Sequence, residues 1–295
     1  MNSQSIPMTD TRTRAADFLT LTKPRLNLLV IATAAAGYYL GTHGSFDAVR
    51  FVNTVLGTAL VAGGSAAFNQ IWERRADAMM ERTKLRPIAD GRLTVREATI
   101  FAAALSAIGC LWLALGSNLL ATSVAVVTLL TYVILYTPLK MKTSFSTVVG
   151  AVPGALPPMI GWAAATDVLS REAWVLFGIV FFWQMPHFLA VAWLCREDYG
   201  RAGFPMLPVV EPDGRSTAYQ VMAYSATLVP VSLAPAMIGL AGLPYFAAAL
   251  VLGVAFLWYA WRFASRRGRA EARALFLASI TYLPLVFLAL VLDAR

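Results

Sequence analysis

The chain has 295 residues, is 58% hydrophobic and only 14% charged, and carries a formal net charge of +8. A soluble domain averages about 45–50% apolar and about 25% charged residues, so these figures exclude a compact soluble domain, and they equally exclude disorder, a disulfide-stapled scaffold and a collagen-like chain. An all-α polytopic membrane protein remains, with about 20 residues for each crossing. The chain opens on a polar segment, residues 1–25, read as a cytoplasmic tail. Nine apolar runs follow, near Leu26–Leu40, Phe51–Gln70, Ala98–Leu115, Leu119–Leu139, Phe145–Ala165, Ala173–Leu194, Ala218–Leu240, Pro244–Ala264 and Ala274–Leu292. Each is bounded by charges, Gly or Pro. Residues 26–292 thus read as one nine-helix transmembrane domain, with 293–295 as a tail on the non-cytoplasmic side.

Ala34-Ala35-Ala36 in the first run resembles a signal-peptidase site, but Asp10 and Asp17 make the preceding segment a poor signal-peptide leader. The run is read as a retained helix. The same acids set the segment apart from acid-poor transit peptides, so a multi-pass protein of a bacterial inner membrane is expected. Cys110 and Cys195 lie in or beside apolar runs with no zinc or redox spacing and are read as packing residues.

Nine spans put the termini on opposite sides. With the N-terminus cytoplasmic, all of the 24 Lys and Arg residues except Arg50, Arg171 and Arg295 fall on the cytoplasmic side. That is the asymmetry that orients membrane proteins, and an even number of spans would scramble it. The positive charge therefore reports topology and gives no reason to expect a nucleic-acid partner.

Most of the acid also lies in two cytoplasmic connections. Asn69, Glu73 and Asp77 recur every four residues, so a second helix continuing beyond the membrane sets them on one face, about 6 Å of rise apart. An amide oxygen and two carboxylates are hard ligands suited to Mg²⁺, which keeps several waters and accepts phosphate oxygens. Arg82, Lys84 and Arg86 come next, ahead of Pro87, and arginine presents a planar fork that fits phosphate. The second acidic cluster, Arg196-Glu197-Asp198-Tyr199, ends the sixth run. The two clusters could hold metal between them and clamp a diphosphate. Lys140 and Lys142, with Tyr136 nearby, add a third cationic group that could contact phosphate or snorkel to the interface. A solvated, positive-inside loop with i,i+4 pairing is the alternative reading of the first cluster.

These residues resemble the intramembrane prenyltransferases of the UbiA superfamily, in which two acidic motifs on cytoplasmic loops bind a prenyl diphosphate through Mg²⁺. The usual first motif is NDxxDxxxD followed by Arg-Pro; here it is Asn69, Gln70, Glu73 and Asp77, then Arg86-Pro87. Gln70 and Glu73 depart from the quinone branches and match the haem-farnesylating branch, with Met80, Arg82, Thr83, Arg86 and Pro87 in register. Thr22-Lys23-Pro24-Arg25, Tyr136 through Lys140, Pro157 through Trp162, Pro186-His187-Phe188 and Asp198 through Pro208 agree as well.

The resemblance implies a nine-helix bundle of UbiA type, with the site opening to the cytoplasmic face. It implies farnesyl transfer from farnesyl diphosphate to a vinyl group of haem B, with water, giving haem O and diphosphate. Asn69, Glu73, Asp77, Arg82, Arg86 and Asp198 are then the expected catalytic residues, and Asn69, Glu73, Asp77, Glu197 and Asp198 the metal ligands. Lys140, Lys142, Tyr136, Arg196 and His187 are the expected substrate contacts. Mg²⁺ is the expected cofactor; haem B is substrate. The lipid bilayer surrounds the enzyme, and a haem A synthase is a candidate partner.

His187 is one of two histidines, the other being His43 in the opposite, short external loop. It lies about 16 Å of helix below Asp198, and an ionisable residue inside a membrane is a functional candidate. It could ligate haem iron, contact a propionate, or hydrogen-bond between helices. A quinone- or chlorin-prenylating relative and a transporter are the competing functions. A transporter would concentrate polar residues near the midplane rather than at one interface.

Overall fold

The computed structural model describes residues 13–42 and 46–295, so Asp10, Arg12 and His43 lie outside the described residues. Within them the chain is almost entirely helical. Helix α1 (Arg14–Leu21) starts at Thr13, whose hydroxyl accepts the Ala16 N–H. It falls in the segment read as a tail. Pro24 opens α2 (Pro24–Gly41), the place in a helix where a missing N–H costs nothing. Helix α3 (Ala48–Met79) runs 32 residues, well past the length of one crossing, so the Asn69–Asp77 motif is helical throughout. A Thr94/Glu97 capping box starts α4 (Val95–Gly116).

The fourth crossing joins α5 (Leu119–Leu130), a π-helical turn at Thr131–Tyr136 and α6 (Thr137–Leu139). Helices α7 (Ser146–Ala155) and α8 (Pro157–Thr166) form the next one, broken where Pro157 follows Leu156. Helix α9 (Arg171–Leu194) continues through Pro186 and is followed by two short helices, α10 (Arg196–Arg201) and α11 (Leu207–Val210). The chain ends in α12 (Arg215–Met237), α13 (Leu243–Arg266) and α14 (Arg269–Leu292).

By length and composition, seven stretches are fit to cross a membrane: α3, α4, α5 through α6, α7 with α8, α9, α13 and α14. Helices α2 and α12, read as the first and seventh spans, fall outside that set. The reason in α12 is where its polar groups point. Thr217, Ser225 and Ser232 are fully buried against the protein, so they lower the helix's mean hydropathy without meeting lipid. Both helices pack lengthwise on the others, α2 against α8 and α3, α12 against α9 and α13. The segment boundaries read from hydropathy lie within a few residues of the helices, except at the end of α3.

Small residues set the closest crossing. A Cβ built on Gly161 would lie 1.8 Å from the Ala34 carbonyl oxygen, and one on Gly37 would lie 2.1 Å from the Pro158 oxygen. Helices α2 and α8 therefore meet backbone to backbone, the use membranes make of glycine, where packing replaces the hydrophobic drive. Since α2 carries Lys23 at its start, this crossing helps locate the polar end of the bundle. We expect Gly161→Val to lower unfolding free energy by at least about 1–3 kcal/mol, the usual cost of overpacking, measured by denaturant unfolding in detergent; wild-type stability would show that the helices separate freely.

Candidate active site

The last turns of α3 carry the first motif. Asn69, Glu73 and Asp77 are all buried, at 2%, 4% and 1% exposure, and they share one face of the helix. Buried carboxylates need cations, and each has one. Lys140 Nζ lies 3.0 Å from Glu73 Oε1, while Arg86 Nη1 bonds both Asp77 oxygens, at 2.8 and 2.7 Å. Asn69 joins the set: its Nδ2 donates to Glu73 Oε1 at 2.9 Å, and its Oδ1 accepts from Lys23 Nζ at 2.8 Å.

Lys140 ties three segments together. Besides bonding Glu73, its ammonium lies 4.7 Å from the Phe204 ring centre and 5.9 Å from that of Tyr199. Burial lowers its pKa, but the Glu73 carboxylate and the Tyr136 and Tyr199 oxygens outweigh that, so the value stands above the ordinary lysine one. The π-turn helps deliver it. Four-residue steps drift by about 40° around an α-helix, and the wider turn takes back part of that drift. Thr128, Tyr132 and Tyr136 thereby all line the central cavity. Thr137 secures the turn: its hydroxyl donates to the Tyr132 carbonyl at 2.8 Å and accepts from Asn69 Nδ2 at 3.3 Å. Such turns recur at functional sites.

The loop after α3 is equally anchored. Thr83 donates to the Asp77 carbonyl at 3.0 Å, and Met80, almost fully buried, packs in one cluster with Ala76, Tyr199, Ala202 and Phe204. This cluster brings α10, and with it the second acidic motif, to the end of α3. Not every residue read from the sequence joins the network. Asp198 pairs with Arg201, and Arg196 lies over the Trp193 ring at 4.7 Å. Arg82, Lys142 and Glu197 are exposed, without side-chain partners among the described residues.

Lys23 was missed as a site residue. Its backbone is left-handed, φ 48° and ψ 57°, which costs a non-glycine residue about 1–2 kcal/mol. Glycine would adopt that conformation freely, so the lysine is explained by its side chain, which reaches Asn69. Burial lowers its ammonium to about 7, with the positive charge of Arg86 acting in the same sense and Glu73 opposing. The sequence held two signals: Thr22-Lys23-Pro24-Arg25 agrees with the family resemblance, and Pro24 steers its predecessor away from the right-handed helical region.

Below this polar mouth lies a cavity of about 320 Å³, walled by α2, α3, the π-turn, α7, α9 and α14. That is the lower end of the range for small-molecule sites. Lys23 and Tyr136 stand at one end; Trp183, Gln184, His187 and Leu283 also line it. His187 Nδ1 is 2.7 Å from Ser279 Oγ, and that hydroxyl donates to the Phe276 carbonyl at 2.6 Å. With the serine proton so used, Nδ1 carries the hydrogen and donates, leaving the Nε2 lone pair free. The imidazole is stacked on Trp183 at 5.1 Å and lies 5.2 Å from Phe276.

Among the described residues, no three His, Cys, Asp or Glu side chains converge to cage a metal. That donor set still fits Mg²⁺, which is commonly held by one or two carboxylates with the remaining positions filled by water and substrate phosphates.

A helical bundle with an apolar cavity under a mouth of paired carboxylates and cations defines a membrane-embedded site for an anionic head on a long apolar tail. The model of the "UbiA prenyltransferase family" matches residues 30–290, and the chain belongs to that family. It is 46% identical over 286 residues to "Protoheme IX farnesyltransferase" of Solibacter usitatus (strain Ellin6076), covering 94% of this chain and 98% of that protein. It is 44% identical over 282 residues to the protein of the same name from Myxococcus xanthus (strain DK1622), covering 95% of each. Two solved structures share the fold. One, a digeranylgeranylglyceryl phosphate synthase, has a TM-score of 0.80 and 16% identity over 95% of this chain and 98% of its own. The other, a UbiA homolog from Archaeoglobus fulgidus bound to GPP and Mg²⁺, has a TM-score of 0.69 and 18% identity over 93% and 99%.

The Lys140–Glu73 pair generates a stability test. Lys140→Met strands a buried carboxylate, at an expected cost of roughly 3–5 kcal/mol. Adding Glu73→Gln recovers most of it, because the amide needs no counter-ion. Additive losses in the double-mutant cycle would show that the two side chains do not interact.

Proposed function

We propose that this chain transfers the farnesyl group of farnesyl diphosphate to a vinyl group of haem B, giving haem O. The observation that carries the reading is the polar mouth of Lys23, Asn69, Glu73, Asp77, Arg86 and Lys140 above a cavity that also holds His187. Full-length relatives at 40–46% identity bearing the name Protoheme IX farnesyltransferase support it. In this reading helices α2 and α12 complete a nine-span bundle of residues 26–292, the asymmetry of Lys and Arg supports a mouth on the cytoplasmic side, and Asp10 and Asp17 in the leader support a bacterial inner membrane.

In this reaction the allylic C–O bond breaks and its electron pair leaves with diphosphate. The vinyl terminus of haem bonds farnesyl C1, water adds at the adjacent carbon, and a proton is lost, leaving a hydroxyethylfarnesyl substituent. The chain's task is electrostatic: Arg86, Lys140 and Lys23 stabilise negative charge growing on the leaving group, from fixed positions in a dry site. Arg82, Lys142 and Arg196 meet the diphosphate from solvent, and Tyr136 contacts it from the cavity wall. Asn69, Glu73 and Asp77 on α3, with Asp198 and Glu197 on α10, would hold Mg²⁺, which supplies charge neutralisation at the phosphate oxygens. A metal-bound diphosphate would offer the carboxylates a metal partner and the cations a phosphate partner, so no buried charge would be left alone. The apolar cavity takes the farnesyl chain and excludes water from the cation. His187 faces haem, its Nε2 oriented by Ser279.

Purified protein given labelled farnesyl diphosphate, haem B and Mg²⁺ is expected to form haem O and release diphosphate; a different prenylated acceptor, or no diphosphate, would overturn the reading. Asp77→Ala and Asp198→Ala should each abolish turnover in folded protein, and wild-type activity from either would remove the bridging-metal model. Arg86→Lys is expected to retain only part of the activity, because a point charge does not reproduce a planar fork. His187→Ala should impair haem use and leave farnesyl diphosphate binding unchanged. If Nε2 ligates iron, wild-type protein shifts the Soret band of added haem and the variant does not.

A further inference from the structure

Helix α1 is fastened near its start to the loop that carries Arg86 and at its end to α3. At its start, Asp17 is buried and accepts Arg92 Nε at 3.0 and 3.2 Å. Arg92 also pairs with Asp90 and donates from Nη2 to the Leu85 carbonyl at 2.9 Å, one residue from Arg86. At its end, Gln70 Nε2 donates to the Leu21 carbonyl at 2.9 Å and lies 3.5 Å from that of Thr20. Gln70 adjoins Asn69, and Leu21 is two residues before Lys23. At the second fastening the Leu21 side chain is fully buried in a cluster with Ala67, Leu93 and Ala98.

The chemistry at Gln70 is specific. Its partners are both carbonyls, so the amide must present nitrogen to them, and Oε1 is left buried and unpartnered. A carboxylate would present only acceptors to acceptors. This accounts for glutamine where the common motif has aspartate. Gln70 does not line the cavity, and neither does Asp17. The turn that α1 ends in is closed by further bonds: Asn27 Nδ2 donates to the Thr22 carbonyl at 2.6 Å, and the Lys23 N–H donates to Thr20 at 3.2 Å. Helix α1 thus sets the left-handed turn that aims Lys23, while the Asp17–Arg92 pair sets the loop that aims Arg86.

We infer that α1 is a positioning strap, in which Gln70 and the Asp17–Arg92 pair fix the gap between Lys23 and Arg86 and so set affinity for the diphosphate group. This rests on the reading that the mouth binds a prenyl diphosphate. Because Lys23 and Arg86 bind the diphosphate and also stabilise the charge that grows on it, a displaced strap raises the farnesyl diphosphate KM and lowers kcat, while the haem KM stays in place. Gln70→Glu and Asp17→Asn act at opposite ends and should produce the same signature.

The test uses full-length protein in lipid nanodiscs, with KM for farnesyl diphosphate, KM for haem B, kcat and unfolding midpoint measured for each variant. Binding of magnesium diphosphate alone is measured in parallel. Both variants are expected to raise the farnesyl diphosphate KM and weaken magnesium diphosphate binding by roughly fivefold or more and to lower kcat in folded protein, with the haem KM within about twofold. Asp17→Glu, which can restore the pair with Arg92, should recover most of the Asp17→Asn loss. A wild-type KM in folded Gln70→Glu and Asp17→Asn proteins would overturn the strap, as would a fall in kcat that merely follows loss of folded protein. If wild-type protein itself fails to bind magnesium diphosphate, the diphosphate reading falls first, and that is seen before any variant is compared.

Discussion

A carboxylate as buried as Glu73, inside a helix that crosses the membrane, exists only because a cation is brought to it. Removing a carboxylate from water costs several kcal/mol even after relaxation, and a lipid-embedded bundle offers little water in exchange. The cation comes from Lys140, just beyond the fourth crossing, and its approach depends on much else in the fold. Helix α3 must run beyond one crossing so that its last turns meet the loop segments. The π-turn must keep the face of Tyr132 and Tyr136 toward the cavity. Phe204 and Tyr199 must flank the ammonium, which requires α10 to fold back onto Ala76 and Met80. Arg86 with Asp77 repeats the same solution nearby, and Lys23 is brought to the neutral amide of Asn69.

The parts legible in the sequence are those that each segment determines alone. Lipid solvates one helix at a time, so the hydropathy of Leu119–Leu139 or Ala173–Leu194 marks those crossings without knowledge of their neighbours. The period-four spacing of Asn69, Glu73 and Asp77 likewise needs only the helical repeat. What escaped depends on distant partners. Lys23 gains its role from Asn69, 46 residues away, and Gln70 from carbonyls on α1. The π-turn has no local signature, since its widened ring is held by Thr137 in company with Asn69. Arg82, Lys142 and Glu197 were read by residue type, which gives the charge but not whether the side chain pairs inside the protein, as Arg86 does, or is exposed, as these three are.

The cavity has two chemical ends. His187 stands on α9 seven residues before its last one, Leu194, and Asp198 lies on α10 beyond the break at Cys195, so the single helix expected from His187 to Asp198 is interrupted. The two ends are also ordered by different means. The mouth is held by charge. The His187 end is held by neutral bonds that converge on one residue: the Ser279 hydroxyl takes the imidazole proton while its carbonyl takes the Trp183 N–H at 2.7 Å. Neutral bonds suit the proposed haem contact, in which the imidazole keeps its Nε2 lone pair free.

Charge balance at the mouth also bears on which ligands enter it in the proposed reaction. A bare anion would draw Arg86 and Lys140 away from Asp77 and Glu73, leaving two buried carboxylates unpaired. A bare divalent cation would release those same basic groups with nothing to receive them. Either case opens a desolvated charge, and the cost of that exceeds what one new contact returns. A diphosphate carrying its metal supplies both signs at once, so every carboxylate and every cation that loses a partner gains another. If the mouth holds a diphosphate as proposed, the pairs that let the site fold in an apolar bundle would favour a metal-bound diphosphate over either ion alone.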